Sequence, residues 1–316
     1  MVFNNREINM NKYYELFRKN FPFIVRSDEE ALKIINNPEN RIIEESDEKG
    51  NLIGVSIIYK DTIILLCVNE EYRNHGIGSK LLEESEKYVI EKGYEKIRIG
   101  VSEDECYLMP GVPMAQKTVE QTLKEDNVYE NVNNDAYDFF SKRGYTHFWG
   151  KDNCFDMRVN LENATFPNEV VGDTIDGITY RFAVKDDIPN IIKCTDDADQ
   201  SFSQYYRNEK LYDEKSDQRA IIATNNDEVC GTLIISIEAE GKGIGSVGCT
   251  AVSHKYRGRH IAVNMVILGT KYLKSLGLKN GFLGYTYSGL DKMYGYAGYK
   301  ICIYYMMAQK QLTDDK

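Results

Sequence analysis

Two stretches of the chain share a pattern of residues that suits the binding of a phosphate group. The first is LLCVNEEYRNHGIGSKLL over 65–82, and the second is CTAVSHKYRGRHIAVNMV over 249–266. In each, an apolar run typical of a buried strand precedes a tyrosine, an arginine, a tight loop and an amphipathic helix. Free N–H groups and the helix dipole at such a helix start favour an anion. The pattern predicts two anion-binding loops, the alternative being two ordinary strand-to-helix turns that need flexible residues.

The two copies stay alike downstream of these loops. Each helix ends at a glycine, a strand follows, and a second helix leads to a glycine–tyrosine pair. That glycine is Gly144 in the first copy, 71 residues after the loop arginine, and Gly298 in the second, 41 residues after it. The excess of 30 residues lies between Val101 and about Asn133. This segment contains a Pro-Gly-x-Pro sequence over 110–113 and is interpreted as an insertion with its own short helix.

These residues carry a family resemblance. The two motifs are Arg73-x-x-Gly76-x-Gly78 and Arg257-x-x-His260-x-Ala262, each between a strand and a helix. With the closing segments 135–145 and 291–299, both copies resemble the GCN5-related N-acetyltransferase (GNAT) family. The chain is similar to a tandem GNAT protein over roughly residues 10–161 and 177–312. The resemblance implies acetyl-CoA as co-substrate, no metal, and a small-molecule primary amine as acceptor.

The fold expected from the resemblance and from the strand and helix patterns is α/β, with a mixed sheet in each of two tandem GNAT-like acyl-CoA N-acyltransferase domains. The predicted N-terminal domain covers 1–162 with the insertion at about 102–132, and its closing strand is Phe155–Leu161. A polar linker over 163–176 contains Pro167 and Gly172. The predicted C-terminal domain covers 177–316 and is the expected catalytic domain. Within it, Ser201–Lys210 is predicted as an aromatic-rich helix.

The resemblance also implies how the coenzyme is held. The loop amides would bind the pyrophosphate, and the end of the strand before each loop would pair with the pantetheine. The predicted coenzyme-binding residues are Val68, Arg73, Asn74, Gly76, Ile77, Gly78 and Ser79 in the first copy, and Ala251, Val252, Ser253, Arg257, Gly258, Arg259, His260, Ile261 and Ala262 in the second. His260 stands where the family has glycine, so a positive φ there would carry a penalty. Arg257 and Arg259 offer two cations for phosphates.

The two copies differ most at the position four residues before the closing glycine. The second copy has Tyr294 there, whereas the first has Phe140. In the family this tyrosine protonates the leaving thiolate, which a phenyl ring cannot do. Tyr294 is therefore the predicted acid, the alternative being an aromatic core residue. Asp291, three residues earlier, is the predicted base.

Other assignments for these roles stay open at the sequence level. Asp291 as a solvated helix residue is one alternative, and Asp199, Glu238 or a water chain are other ways to remove the amine proton. The aromatic residues Phe202, Tyr205 and Tyr206 are expected to pack in the core, with contact to the acceptor as the alternative.

Composition excludes several classes of function. The chain has 316 residues with 39 Lys and Arg against 49 Asp and Glu, a net charge of −10, which argues against a nucleic-acid surface. Seven scattered cysteines favour reduced thiols in the cytoplasm, and four histidines without helical pairing make a zinc site improbable. The N-terminal sequence is polar, so no signal peptide is expected, and no apolar run reaches the length of a membrane helix.

The predicted function is acetyl transfer from acetyl-CoA to a primary amine of a small molecule, with an amino sugar such as glucosamine as first choice. Polyamines, aminoglycosides and protein amines are alternative acceptors. A second hypothesis is a non-catalytic acyl-CoA-binding sensor or scaffold, and a third is transfer of a longer acyl group. Because the repeat can supply internally the pairing that single-domain proteins obtain by dimerising, we expect a monomer, with a homodimer as the alternative.

Overall fold

A computed structural model describes residues 5–102, 104, 106–114, 135–147, 154–239, 241, 243–287 and 289–312. Contacts divide the chain into two compact units, unit 1 with Met1–Cys154 and Ile303–Lys316, and unit 2 with Phe155–Cys302. The mixed α/β architecture predicted from the sequence is confirmed, since each unit is built on a mixed sheet with helices. The predicted short helix of the insertion falls in 115–134, outside the described residues.

Unit 1 is built from helices α1 (Asn5–Asn20), α2 (Asp28–Ile35), α3 (Ile77–Glu91) and α4 (Asp135–Ser141), and from strands β1 (Arg41–Ser46), β2 (Leu52–Tyr59), β3 (Thr62–Val68), β4 (Lys96–Ile99), β5 (Val112–Met114), β6 (Thr146–His147) and β15 (Ala308–Gln311). Its main sheet has the order β1-β2-β3-β4-β15-β6 among the described strands. The Ser27 side chain accepts from the Glu30 N–H and caps α2. Gly50, with φ 82°, lies in the turn between β1 and β2.

Unit 2 is built from strands β7 (Cys154–Asn160), β8 (Thr174–Ile175), β9 (Ile178–Phe182), β10 (Gln218–Asn225), β11 (Glu228–Ser236), β12 (Ile244–Val252) and β13 (Asn280–Tyr287), and from helices α5 (Ile188–Ala198), α6 (Ile261–Ser275) and α7 (Asp291–Gly295). Its strands follow the order β7-β13-β12-β11-β10-β9-β8. Strand β14 (Lys300–Met306) crosses the boundary between the units at 302/303.

The predicted helix Ser201–Lys210 is wrong in type. The segment forms three short 3₁₀ turns, Gln200–Phe202, Tyr205–Arg207 and Glu209–Tyr212. The side chain of Asp199 accepts the Ser201 N–H at 2.9 Å, and that of Asn208 accepts the Lys210 N–H at 3.2 Å. These local bonds compete with α-helical hydrogen bonding, so the chain forms separate short turns and no continuous helix.

The compact units differ from the predicted domains in their closing strands. Strand β7 was expected to close the first domain, but all of it except Cys154 belongs to unit 2, beside β13. The last strand, β15, belongs to unit 1, where it pairs with β4 and β6. Lys310 of β15 donates to both carboxylate oxygens of Glu86 at 3.0 Å, which anchors the strand to α3. Each unit therefore receives its closing strand from outside its own repeat.

The segment predicted as a linker is attached to unit 2. The Lys271 ammonium group on α6 donates to three successive carbonyl oxygens, those of residues 167–169, at 2.6, 2.8 and 2.9 Å. Lys274, three residues further, donates to the carbonyls of Glu162 and Ala164. These bonds follow α6 along one side, and β8 then pairs with β9.

One glycine in each unit lets a helix start approach the sheet closely. Gly54 lies opposite the end of β3, and a Cβ there would come within 3.0 Å of Leu81 on α3. Gly231 lies opposite the end of β12, and a Cβ there would come within 2.9 Å of Ile261 and Met265 on α6. The missing side chains therefore fix the first turn of each helix against the strand that leads into it.

Gly100, directly after β4, is expected to tolerate no side chain. Its φ is 108°, and a Cβ would lie 2.2 Å from the Pro110 carbonyl oxygen. Gly100→Ala should lower the free energy of unfolding by about 3–5 kcal/mol, because backbone strain and overlap with main-chain atoms add. Gly93 is the matched control, since its φ is 84° with open space around the Cβ position, and Gly93→Ala should cost about 1 kcal/mol. Equal shifts of the urea midpoint for the two variants would contradict this account.

Candidate active site

The first anion-binding loop runs from the end of β3 to the start of α3. Asn74 and Gly76 have left-handed φ values of 64° and 83°, and α3 begins at Ile77. The Arg73 guanidinium donates from Nε to the Val68 carbonyl at 3.1 Å and from Nη2 to Asn20 Oδ1 at 2.7 Å. Arg73 therefore ties the loop back to the end of β3 and to the end of α1.

The second loop has the same geometry. Gly258 and His260 have φ values of 77° and 57°, and α6 begins at Ile261. The Arg257 guanidinium donates to the carbonyls of Val252 and Ala198, each at 3.4 Å. The φ of His260 is positive, so the histidine occupies a conformation that glycine adopts without strain and carries the penalty expected for that case.

These contacts show what Arg73 and Arg257 bind in the structure, and their predicted coenzyme contacts stay a prediction. Because Arg73 and Arg257 bond to main-chain and amide oxygens of their own unit, they shape the loops. The N–H groups at the helix starts, those of Ile77, Gly78 and Ser79 in α3 and of Ile261 and Ala262 in α6, precede the first i→i−4 bonds and can donate to an anion. Arg259 is exposed and lies over the Tyr256 ring at 5.6 Å from its centroid, within reach of solvent.

The first loop has a further cation that sequence analysis missed. Arg143 donates from Nη2 to Ser79 Oγ at 2.7 Å and from Nη1 to the Phe139 carbonyl, and it lies over the Phe139 ring. The corresponding position in the second copy, one residue before the closing glycine, is the buried Ala297. The only sequence signal was an arginine beside that glycine in one copy.

The second loop is held by a carboxylate from the preceding helix. Asp197 of α5 accepts from Ser253 Oγ at 2.7 Å and from the His254 N–H at 2.8 Å. These two bonds lower the pKa of Asp197. Ser253 also donates its N–H to the Cys230 carbonyl of β11 at 3.1 Å. Since main-chain groups alternate along a strand, those of Val252 face away from β11, and those of Ala251 face toward it.

A cleft opens between β12 and β13 next to this loop. The two strands pair in parallel at Ile244 with Asn280 and at Gly245 with Gly281. Beyond that point β12 has a bulge, where Cys249 and Thr250 oppose the single Leu233 of β11. The parallel pairing does not extend to the later residues of either described strand, so the cleft lies between their C-terminal halves.

Tyr294 lies at this cleft. It is 7% exposed, and its hydroxyl faces Thr250, whose Oγ1 makes no hydrogen bond of normal geometry to any described residue. Burial raises the pKa of Tyr294 to about 12, although the Thr250 hydroxyl lowers it in part. The phenol therefore keeps its proton at neutral pH and can act as a donor.

The structure places Asp291 at the start of α7. Its Oδ1 accepts from the Gly289 N–H at 3.1 Å, a bond that caps the turn into the helix. The base role predicted for Asp291 stays a prediction.

Of the aromatic residues before β10, Tyr206 is fully buried in the core with Ile191 and Leu211, and its hydroxyl donates to the Cys249 carbonyl at 2.7 Å.

The equivalent cleft of unit 1 is apolar. Strands β3 and β4 pair at Thr62 with Arg98 and at Ile63 with Ile99, and a pocket follows. Its lining includes Leu66, at the position of Thr250, and Phe140, at the position of Tyr294. Gly111, Val112 and Pro113 of the Pro-Gly-x-Pro segment form part of the wall. Unit 1 therefore has the loop but lacks the two hydroxyl groups of the unit 2 cleft.

The sequence profile of the acetyltransferase (GNAT) family matches this chain twice, over residues 10–107 and 186–292. The protein belongs to the GNAT family. The two matches fall on the two repeats, so the predicted tandem GNAT organisation is confirmed. GNAT proteins use acetyl-CoA as acyl donor. Among the described residues, no group of His, Cys, Asp or Glu is arranged to hold a metal ion. The described helices are all too short or too polar to span a bilayer.

Solved GNAT structures share this fold. A tandem GNAT protein from the clavulanic acid biosynthesis pathway has a TM-score of 0.67 at 11% identity, covering 98% of this chain and 97% of its own. A GCN5-related N-acetyltransferase from Sphaerobacter thermophilus has a TM-score of 0.61 at 15% identity, covering 90% and 86%. Identities this low establish the fold alone.

A further solved structure is part of a much longer protein. It is the GCN5-related glucosamine N-acetyltransferase region of a fungal multi-domain GH3 β-N-acetylglucosaminidase, with a TM-score of 0.69 at 18% identity and 97% coverage of this chain. The present chain spans 37% of that protein's length. No curated protein matches the chain at a significant level.

Proposed function

We propose that unit 2 transfers an acetyl group from acetyl-CoA to the primary amine of a small molecule, and that an amino sugar is the acceptor. One observation carries the proposal: unit 2 combines a helix-start loop with a buried tyrosine hydroxyl that faces Thr250 in the cleft beside it. The fungal neighbour described as a glucosamine N-acetyltransferase region supports the choice of a sugar amine.

In the proposed reaction the α6 N–H groups hold the pyrophosphate, and the thioester lies in the cleft between β12 and β13. The neutral amine attacks the thioester carbonyl carbon, whose oxygen accepts from the Val252 N–H. As the C–S bond breaks, Tyr294 donates its proton to the sulfur. The amine nitrogen, now bonded to the acetyl carbonyl carbon, loses one proton to solvent, and Tyr294 regains one proton from solvent. The products are the amide and free coenzyme A.

The test of this proposal is acetyl-CoA consumption with thiol release against a panel of amines led by glucosamine, with polyamines and aminoglycosides alongside. N-acetylglucosamine as product would support the proposal. Turnover on a polyamine or aminoglycoside alone would keep the reaction and change the acceptor. Coenzyme binding without turnover on any amine would refute the proposal.

The pH dependence should follow the acceptor amine. Because burial raises the pKa of Tyr294 to about 12, its proton stays in place below about pH 11. We therefore expect kcat/KM to rise with pH through the pKa of the amine and then to level off, with no descending limb before about pH 10. A descending limb between pH 8 and 9 in the wild type would show that the acid titrates lower than its burial allows.

A second candidate function applies to unit 1, which would bind a coenzyme A thioester without turnover. Two features favour this role: the apolar cleft lined by Leu66 and Phe140, and the anion-binding loop whose Ser79 is bonded to Arg143. Calorimetry would then find two coenzyme sites per chain, and the activity would depend on only one of them.

A further inference from the structure

Two left-handed residues lie at the same height on the two strands that border the cleft of unit 2. The last parallel pair joins Gly245 to Gly281. Four residues further along each strand, Cys249 has a φ of 48° and Tyr285 has a φ of 57°. Neither is a glycine, and bulky residues rarely adopt this conformation unless their surroundings impose it. Each strand therefore has a strained main-chain position at this height, which specific contacts must hold.

On β12 the contact comes from Tyr206. Its hydroxyl donates to the carbonyl of Cys249 at 2.7 Å, and its own main-chain carbonyl accepts from the Tyr212 hydroxyl at 2.6 Å. Tyr206 is fully buried in the core beneath β10 and β11, so this anchor is rigid.

On β13 the contact comes from Asp156 of the neighbouring strand β7. Its Oδ1 accepts the N–H of Tyr285 at 3.0 Å. Asp156 is only 5% exposed, which is unusual for a carboxylate, and its strand precedes the rest of unit 2 in the sequence. A buried carboxylate that accepts from a main-chain N–H is costly to replace by an apolar group, because the N–H would lose its partner.

Asp156 lies on the face of the sheet from which an acceptor can reach the cleft. The Cβ position of Gly281 meets the Tyr299 hydroxyl, which is near Thr270 of α6, so Gly281 faces α6. Side chains alternate along a strand, which places Gly284 on the opposite face. The Cβ position of Gly284 is 3.7 Å from Asp156 Oδ1, and Gly284 is exposed. Because α6 covers the other face, we expect the acceptor to approach over the face that contains Gly284.

We propose that Asp156 is a positioning residue for acetyl transfer, which acts through the left-handed main chain at Tyr285 to fix the acceptor side of the cleft. The inference rests on the proposed function of unit 2. The rings of Tyr285 and Tyr287 lie 5.1 Å apart and are half-buried, so the path of β13 at Tyr285 sets where both rings stand. Loss of the hydrogen bond between Asp156 and the Tyr285 N–H would let these two rings change position, while the coenzyme loop would keep its structure.

The decisive experiment compares Asp156→Ala with Asp156→Asn in steady-state kinetics against the best amine of the panel. Asparagine keeps an oxygen that accepts the Tyr285 N–H, whereas alanine does not. Asp156→Ala should raise KM for the amine at least about 10-fold and leave KM for acetyl-CoA within about threefold, as expected when a structural hydrogen bond to a main-chain amide is lost. Asp156→Asn should stay within about threefold of wild type in both constants.

Asp187 supplies the matched control in the same unit. It is similarly buried and also accepts a main-chain N–H, that of Val184 at 2.8 Å, besides pairing with Arg181. Asp187→Ala should lower Tm as Asp156→Ala does, but leave the amine KM unchanged. If Asp156→Ala fails to fold, Asp156→Asn and Tyr285→Gly carry the test, since glycine adopts the left-handed φ without the carboxylate. Asp156→Ala in the Tyr285→Gly background should then fold with an amine KM close to that of Tyr285→Gly alone, and a further rise of about 10-fold would overturn the role assigned to the Tyr285 main chain.

The outcomes separate this inference from the function on which it rests. Wild-type turnover tests the function, and the ratio of variant to wild-type amine KM tests Asp156. If the wild type is active and Asp156→Ala has the same amine KM as the wild type, the positioning role is overturned and the function stands. Equal loss of kcat in the Asn and Ala variants also overturns it, because the negative charge would then take part in the chemistry. Absence of wild-type turnover refutes the function and the inference together.

Discussion

Tyr294→Phe is expected to lower kcat by about 10²–10³-fold and to leave KM for acetyl-CoA within about twofold. The variant removes one hydroxyl from a buried ring and keeps its packing, so only the proton donor to the departing sulfur is lost. The measurement is thiol release at saturating amine, where kcat and KM separate. A fall in kcat of less than about fivefold would assign the proton to water or to another group.

Tyr299→Phe is the control for this variant. Tyr299 is also buried in the closing segment, its ring lies 6.1 Å from that of Tyr294, and its hydroxyl is 3.5 Å from Thr270 Oγ1 on α6. Removal of that hydroxyl should lower Tm slightly and leave kcat near wild type. If both variants lose activity to the same extent, the loss reflects disturbed packing of the segment.

Ala262→Asp is expected to raise KM for acetyl-CoA by at least about 30-fold, equivalent to about 2 kcal/mol of lost charge-assisted hydrogen bonding. An aspartate in the first turn stabilises a helix, because its carboxylate binds the free N–H groups and complements the dipole. The fold should therefore survive, while the carboxylate occupies and repels the site of the pyrophosphate. Coenzyme titration by calorimetry and kinetics at varied acetyl-CoA both measure the effect.

Gly78→Asp is the matched variant in unit 1. A Cβ at Gly78 would have ordinary contacts, the nearest being Phe139 at 3.5 Å, so the substitution fits as it does at Ala262. If unit 2 is catalytic, Gly78→Asp removes at most one coenzyme site and leaves kcat and KM of the reaction near wild type. Loss of turnover in Gly78→Asp, with Ala262→Asp active, would place the chemistry in unit 1.

The features predicted from the sequence depend on short-range patterns. A loop between a strand and a helix, with small residues at fixed spacing, is defined within about twenty residues, so its position followed from the sequence. The contrast between Tyr294 and Phe140 needed only the alignment of the two copies.

The features that escaped prediction depend on contacts between distant residues. Asp156 binds Tyr285 across 129 positions, and Asp197 binds Ser253 across 56. Nothing local marks Cys249 or Tyr285 as left-handed, since both lie in apolar strand sequences and neither is glycine. In the case of β7, the repeat pattern assigned the strand to the first domain, and only the sheet order places it beside β13.

The placement of β7 and β15 sets an order for folding during synthesis. Unit 2 is a continuous run from Phe155 to Cys302, so all of its strands are available once that run has left the ribosome. Unit 1 needs β15, which is made after everything in unit 2. The first repeat to be translated is thus the last to close, and until then the edge of β4 that β15 covers is open to other strands. A chaperone that binds exposed strand edges would bind the new chain at the edge of β4, in its N-terminal half.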